Sequence, residues 1–156
     1  MKSEIKISDN RVQITRVFHA PRQVVFDYWT NAEKIQQWSG CKEATNCEVT
    51  MDFRVGGTFT QKMVVHGKEF GFSGVYEEIV VPERIVYTAN LGFASSRIRV
   101  EFMEQGEQTK VVLTQDGLPD QNFCKIISEG TSEGMDKLDG LLAAQSRQDL
   151  ASTAGM

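Results

Sequence analysis

"DFRVGGTFTQKMVVHGKEF", residues 52–70, carries the period-two beat of strands interrupted by turn residues. Met51, Phe53 and Val55 fall on one side of an extended chain and Asp52 and Arg54 on the other, which predicts a half-buried strand starting near Glu48. Gly56-Gly57 then supplies residues that accept positive φ, the requirement of a tight hairpin turn, and the chain returns over residues 58–65. His66-Gly67 predicts the next turn. Beyond it Phe70, Phe72, Gly74 and Tyr76 alternate with Glu69, Gly71, Ser73 and Val75. Glycine inside a strand marks a bulge, a bend or the close approach of another backbone, so this third strand is expected to curve at Gly71 and Gly74.

Working outward, Pro82 turns the chain into a strand in which Ile85, Tyr87, Ala89 and Leu91 share a face. Ile98, Val100 and Phe102 alternate with Arg97, Arg99 and Glu101, and Val111, Leu113 and Gln115 with Val112 and Thr114, so residues 50–116 read as one antiparallel meander. After "DGLPD" the period becomes 3.6: Phe123, Ile127, Thr131, Gly134, Leu138 and Leu141 or Leu142 form one stripe. A helix over 121–144 would run about 36 Å, longer than any strand here, and must lie across the sheet. Gly130 and Gly134 each cost about 1 kcal/mol against alanine, which predicts a close contact or a kink. The polar segment 146–156 is expected to be a disordered tail, leaving 1–145 as one domain.

Upstream, Val12, Ile14, Arg16 and Phe18 share a face of a first strand over 11–18. Pro21 suits the first turn of a helix and Val24, Val25, Tyr28 and Trp29 recur at helical spacing, giving a short helix over 21–29. Thr30 or Asn31 caps a second one, with Glu33 in its first turn and Ile35 and Trp38 on one face, and Ser39 and Gly40 end it.

Composition narrows the function classes. At 156 residues the chain can bury roughly 70% of its unfolded surface, enough for a single core. A net charge of -4, with lysines and arginines scattered among carboxylates, leaves no footprint for nucleic acid. The N-terminus lacks the apolar run of a signal peptide and no window approaches the roughly 20 apolar residues of a membrane span, so a cytoplasmic location is expected. Cys41, Cys47 and Cys124 have neither zinc-site spacing nor an even count, which points to free thiols, no structural metal and no Cys41–Cys47 disulfide.

Four stretches carry a resemblance: "APRQVVFDYWTNAEKIQQW" at 20–38, "DFRVGGTF" at 52–59, "GVYEEIVVPERIVYT" at 74–88 and "TKVVLTQDGLP" at 109–119. Over residues 19–144 the chain resembles the heat-shock protein 90 ATPase activator-like branch of the START-like (SRPBCC) superfamily. The resemblance implies an α+β helix-grip fold: a curved antiparallel sheet of about six or seven strands wrapped around a long C-terminal helix, with two short helices after the first strand. Two positions depart from the family pattern. Ser39 stands where a second tryptophan is usual and Thr131 where Gly-Trp usually enters the last helix, so the resemblance implies a roomier cavity.

The superfamily uses that cavity for apolar ligands, and the resemblance makes Trp38, Phe53, Phe59, Met63, Phe70, Phe72, Tyr87, Phe102, Thr131 and Met135 the candidate lining, with Tyr87 and Trp38 supplying polar groups that could orient a ligand. The expected function is binding of a small hydrophobic or amphipathic molecule. The alternatives are a polyketide cyclase or dehydratase using the same cavity, marked by a polar inward pair such as Tyr87 with Asp52 or Arg54, and a chaperone-associated module of the stress response, marked by an exposed apolar patch. His19 has no partner in sequence and His66 sits in a turn, so no catalytic residue is assigned. Asp52 and Arg54 suit a structural ion pair, and Glu77, Glu78, Glu83 and Arg84 a solvated turn region. No nucleotide fingerprint exists and no cofactor is implied. A homodimer is compatible with the sequence, though no pattern marks an interface.

Overall fold

The computed structural model describes residues 3–39, 44–92 and 94–154. The strands are β1 (Glu4–Ser8), β2 (Arg11–Phe18), β3 (Ala44–Met51), β4 (Thr58–Val65), β5 (Lys68–Val80), β6 (Arg84–Asn90), β7 (Ser95–Gln105) and β8 (Gln108–Asp116). The helices are α1 (Arg22–Thr30), α2 (Ala32–Trp38) and α3 (Gln121–Ala154). All eight strands join one open, curved antiparallel sheet in the order β1-β2-β8-β7-β6-β5-β4-β3. The meander read from period-two alternation is therefore real, and only the β2–β8 junction links strands distant in sequence.

The inward face is a continuous apolar field. Val12, Ile14 and Phe18 of β2, Val111 and Leu113 of β8, Ile98, Val100 and Phe102 of β7 and Ile85 of β6 are all buried. Val25, Phe26 and Trp29 of α1 and Met135, Leu138 and Leu142 of α3 close over them. Each such side chain contributes roughly 1.5 to 3 kcal/mol of burial. Arg16 sits in the same row. Its side chain is 3% exposed and reaches α3, with Nη1 2.7 Å from Asp136 Oδ1 and Nη2 on Asp139 Oδ2. A cation taken out of water is tolerable only when paired, so this ion pair pins α3 over β2.

Local chemistry explains the boundaries. Asn31 is the cap of α2, its side chain accepting from the Lys34 backbone N–H at 3.3 Å, while Pro21 precedes α1 in extended conformation instead of forming its first helical residue. His66 (φ 51°) and Gly67 (φ 78°) form the two-residue hairpin between β4 and β5.

Four expectations need correction. The described residues form eight strands instead of six or seven: the additional one, β1, is an edge strand that alternation does not mark, because "EIKIS" has no buried residue and its Ile5 and Ile7 remain 39% and 38% exposed. β3 starts at Ala44 and stops at Met51, so Phe53 and Val55 leave the ladder. Residues 52–57 form a compact turn held by Arg54 N–H to Asp52 O and Gly57 N–H to Arg54 O, 2.9 and 2.8 Å. Gly56 alone takes positive φ (84°), while Gly57 is needed because a Cβ there would lie 2.0 Å from the Asp52 carbonyl oxygen. Finally, α3 does not end near 144 but runs on to Ala154. Gly40 and Cys41, read as a helix stop and a free thiol, lie outside the described residues.

Candidate functional site

The ten candidate residues divide between two aromatic groups. In the first, Trp29 stacks against Trp38 at 4.5 Å between ring centroids and meets Phe102 at 5.5 Å and Phe18 at 6.1 Å, while Phe26 meets Phe102 at 5.1 Å. The Trp38 indole N–H donates to the Tyr28 backbone carbonyl at 2.8 Å, so it is not left to orient a ligand. Trp38 and Phe102 belong to the packed core. Met135 is fully buried there too, its sulfur 3.8 Å from Ser3 Oγ beside β1.

The second group lies on the inward face of β4, β5 and β6. Phe59 is the centre, meeting Phe72, Tyr76 and Tyr87 at 6.0, 5.3 and 5.4 Å, with Phe53 5.1 Å from Tyr76. Most of these contacts are edge-to-face, which suits the ring quadrupoles. Gly74, opposite Phe59 in the ladder, makes the cluster possible: a Cβ there would stand 1.8 Å from the Thr88 carbonyl and 2.6 Å from the Phe59 ring. The glycine expected to mark a close approach does so. Phe53 also meets Phe26 at 6.3 Å and so joins the two groups.

α3 packs on α2, β1 and β2, away from the three strands that carry the second group. Phe53, Phe72 and Tyr87 accordingly stay half-buried, whereas Phe59 and Tyr76 are buried. Tyr76 and Tyr87 are directly opposite each other in the β5–β6 register, with centroids 6.0 Å apart. Neither hydroxyl has a protein hydrogen-bond partner among the described residues, and neither oxygen is sealed from solvent. Burial pushes both phenols well above the ordinary tyrosine pKa, and the neighbouring Tyr76 adds to the rise at Tyr87.

The remaining candidates scatter. Met63 is half-buried opposite Phe70, which is 53% exposed at the hairpin end of β5, and Thr131 is half-buried on α3. Ser39 does not border open space: its hydroxyl accepts from the buried Gln61 amide and lies 3.4 Å from Cys47 Sγ. Asp52 and Arg54 pair with each other at 2.7 Å in the exposed turn and do not join Tyr87. His19 is exposed with Nδ1 2.8 Å from the Gln108 amide nitrogen. Glu78 pairs with Arg84, and Glu77 with Arg97 at 2.9 Å, on the outward face.

Sequence reasoning placed Tyr76 on the right strand face and left it out of the candidates. The missed signal is spacing: in a hairpin whose strands meet at Pro82, residues 76 and 87 are near cross-strand partners. Gln61, Ser96 and Gln115 were also missed as buried polar groups on the inward face, where Gln115 donates to Ser96 Oγ at 2.9 Å. Elsewhere an open depression of about 340 Å³ lies between Ser8–Arg11 and Asp116–Gly117, but its principal charges, Arg11 and Asp116, already satisfy each other at 2.5 Å. Among the described residues no three His, Cys, Asp or Glu side chains converge as metal ligands, Cys47 and Cys124 are free, and no helix is long and apolar enough to cross a membrane.

An open antiparallel sheet curled against a long C-terminal helix, with two short helices after β2, is the helix-grip architecture of the START-like proteins. The chain belongs to the Activator of Hsp90 ATPase homolog 1-like protein family, which it matches over residues 19–143. Its fold is similar to that of a Rhodobacter sphaeroides protein (16% identity, 92% of this chain and 99% of that one, TM-score 0.81). It is also similar to protein CV1439 from Chromobacterium violaceum (21% identity, 85% and 96%, TM-score 0.76). A protein from Rhizobium leguminosarum is 25% identical over 92% of this chain and 99% of that one, with a TM-score of 0.72. The search of curated proteins gives no match.

Proposed function

We propose that this chain binds a small apolar or amphipathic molecule against the inward face of β4, β5 and β6. The observation that carries this reading is the ring cluster of Phe53, Phe59, Phe72, Tyr76 and Tyr87, which α3 leaves aside and in which two phenol hydroxyls go unpartnered. A concave apolar surface with few, fixed polar groups is how proteins hold small molecules. Family membership supports the same reading, since the fold commonly binds hydrophobic ligands. Acid–base catalysis on this face has little support, because the two phenols are the titratable groups of the cluster and burial holds both protonated.

The test is a titration with N-phenyl-1-naphthylamine, a neutral probe that fluoresces in apolar surroundings. Saturable binding to the wild type, weakened at least fivefold by Phe72→Gln while the thermal transition stays cooperative, supports the assignment. Phe72 is half-buried, so its replacement need not unfold the sheet. Affinity unchanged in that variant would place the ligand elsewhere.

A further inference from the structure

An open antiparallel sheet presents two edges, and an edge with free N–H and C=O groups is a template for another strand. The two edges here differ. At β3 the ladder shifts register between Thr45 and Glu48, α2 packs against the strand, and the Gln36 side chain accepts from the Val49 backbone N–H at 2.9 Å. At β1 all five residues are exposed, and β2 is the only strand beside it. Ser8 and Arg11 close the two-residue turn at Asp9 and Asn10, and antiparallel pairing alternates from there. The backbone groups of Ser8, Lys6 and Glu4 therefore point to β2, and those of Ile7 and Ile5 point to the open edge. The side chains sort by face. Ile5 and Ile7 stand opposite the buried Ile14 and Val12 and so lie on the inward side, 39% and 38% exposed, while Glu4 and Lys6 lie on the outward side.

The charges on this strand define what can dock there. Two copies of β1 whose free backbone groups sit at residues 5 and 7 can meet antiparallel about a two-fold axis in two well-overlapped registers. In one, Ile5 faces Ile7 of the second copy and Lys6 faces Lys6, and like charges placed directly opposite are destabilising. In the other, Ile5 faces Ile5 on the axis, Ser3 faces Ile7, and Glu4 faces Lys6 on either side of it. The second register matches opposite charges on the outward face and joins the exposed isoleucines on the inward one. We infer that β1 is a self-association edge: a second copy of this chain adds its own β1 in the register that sets Glu4 against Lys6, and the two sheets run into one. Lysine on an edge strand is a guard against strand addition. Here Lys6 disfavours one register and closes the other. β2, β8 and β7 separate β1 from β6, β5 and β4, so the ring cluster stays accessible in the dimer. A single strand pair is a small interface, so the association is weak and depends on concentration.

Sedimentation velocity of the full chain over a series from about 5 to 500 µM reads this association. The wild type should move from monomer toward dimer across the series. Ile5→Pro removes an N–H aimed at the open edge and none directed to β2, and should stay monomeric at the highest concentration. Glu4→Lys and Lys6→Glu each set like charges against one another in both pairs across the axis, and each should weaken association about tenfold, whereas the double exchange Glu4→Lys/Lys6→Glu should restore it. Both charged positions are exposed, so thermal melts of these three variants should match the wild type, and they keep the test open if Ile5→Pro disturbs the fold. A wild type that remains monomeric throughout the series overturns the inference. Association that survives Ile5→Pro puts the contact on another surface and overturns it too. Single exchanges that change nothing, or a double exchange that restores nothing, overturn the register and with it the choice of partner.

Discussion

The two aromatic groups on the inward face are built from similar side chains and end in opposite states. Around Trp29, the rings of Phe18, Phe26, Trp38 and Phe102 are buried where α1 and α2 meet the sheet, and the Trp38 indole N–H has its partner. Around Phe59, the rings of Phe53, Phe72, Tyr76 and Tyr87 touch one another just as closely, three of them remain half-buried, and two hydroxyls are left without partners. The difference does not lie in aromatic content. It lies in which strands the helices reach: α1 packs on β7 and β8 and α3 on β1 and β2, where Arg16 pairs with Asp136 and Asp139, while β4, β5 and β6 lie outside both sets of contacts.

The largest expected effect breaks the packed half. Phe102→Ala removes a 2% exposed ring that meets both Phe26 and Trp29, and should cost about 3 to 5 kcal/mol in urea denaturation. Phe72→Ala, at a half-buried position, should cost less than half as much. Equal losses would erase the distinction between the halves. Next comes the ion pair. Asp139→Ala leaves the buried guanidinium with the more exposed Asp136 and the Ser3 hydroxyl, and should cost about 2 to 3 kcal/mol, somewhat below a fully orphaned charge. A loss under about 0.5 kcal/mol, the range of ordinary surface changes, would show that packing alone places α3.

A pH series sharpens the comparison. The folded-state pKa values of Tyr76 and Tyr87 are raised, so the folded chain holds phenolic protons that the unfolded chain releases above about pH 10. Their contribution is fully present below that pH and is lost as pH rises, by about 1.4 kcal/mol per pH unit for each phenol. Comparing unfolding free energies of the wild type and the Tyr76→Phe/Tyr87→Phe double variant between pH 9 and 11 (roughly the window set by the unfolded tyrosine) should show a shallower decline in the variant. Parallel curves would contradict the burial of these phenols.

The smallest effect is also the most discriminating. Tyr28→Phe removes a made hydrogen bond and should cost about 1 kcal/mol at neutral pH, whereas Tyr76→Phe removes an unmade one and should be neutral within about 0.5 kcal/mol or slightly stabilising. Thermal melts of the two single variants suffice. A clear loss for Tyr76→Phe would mean that its hydroxyl has a structural role.

The same contrast explains what the residues disclosed in advance. Alternation is a statement about faces, so it revealed strands with a buried side: "RVQITRVF" and "RIRVEF" bury every second residue, and "TFTQKMVV" does so over its first half, at Phe59 and Gln61. It was silent on "EIKIS", an edge strand whose backbone pairs while both faces stay exposed. It also could not separate the two halves. Phe102 and Phe59 both face inward, and that Phe102 is the one met by Phe26 and Trp29 of α1 depends on contacts between segments far apart in the chain. Ser39 and Thr131 suggested extra room by their small size, but the space at Ser39 is taken up by Gln61 and Cys47, a compensation no single position announces.

β5 carries one residue more than β6 across the register shift between Tyr76 and Glu78. Tyr76 pairs with Tyr87 and Glu78 with Val86, so Glu77 is an extra residue in the strand, and the two consecutive glutamates both face outward to their arginines. Tyr76 before the bulge and Ile79 after it can then both face inward, although they are three residues apart. Because strand faces have a period of two, losing one residue here does not trim the strand but inverts one side of it: either Ile79 is turned out or Tyr76 and Phe72 are. The face that carries the phenols therefore depends on the count of residues between positions 76 and 79, so homologues that keep the face should carry their insertions and deletions in the turns and keep this short interval constant.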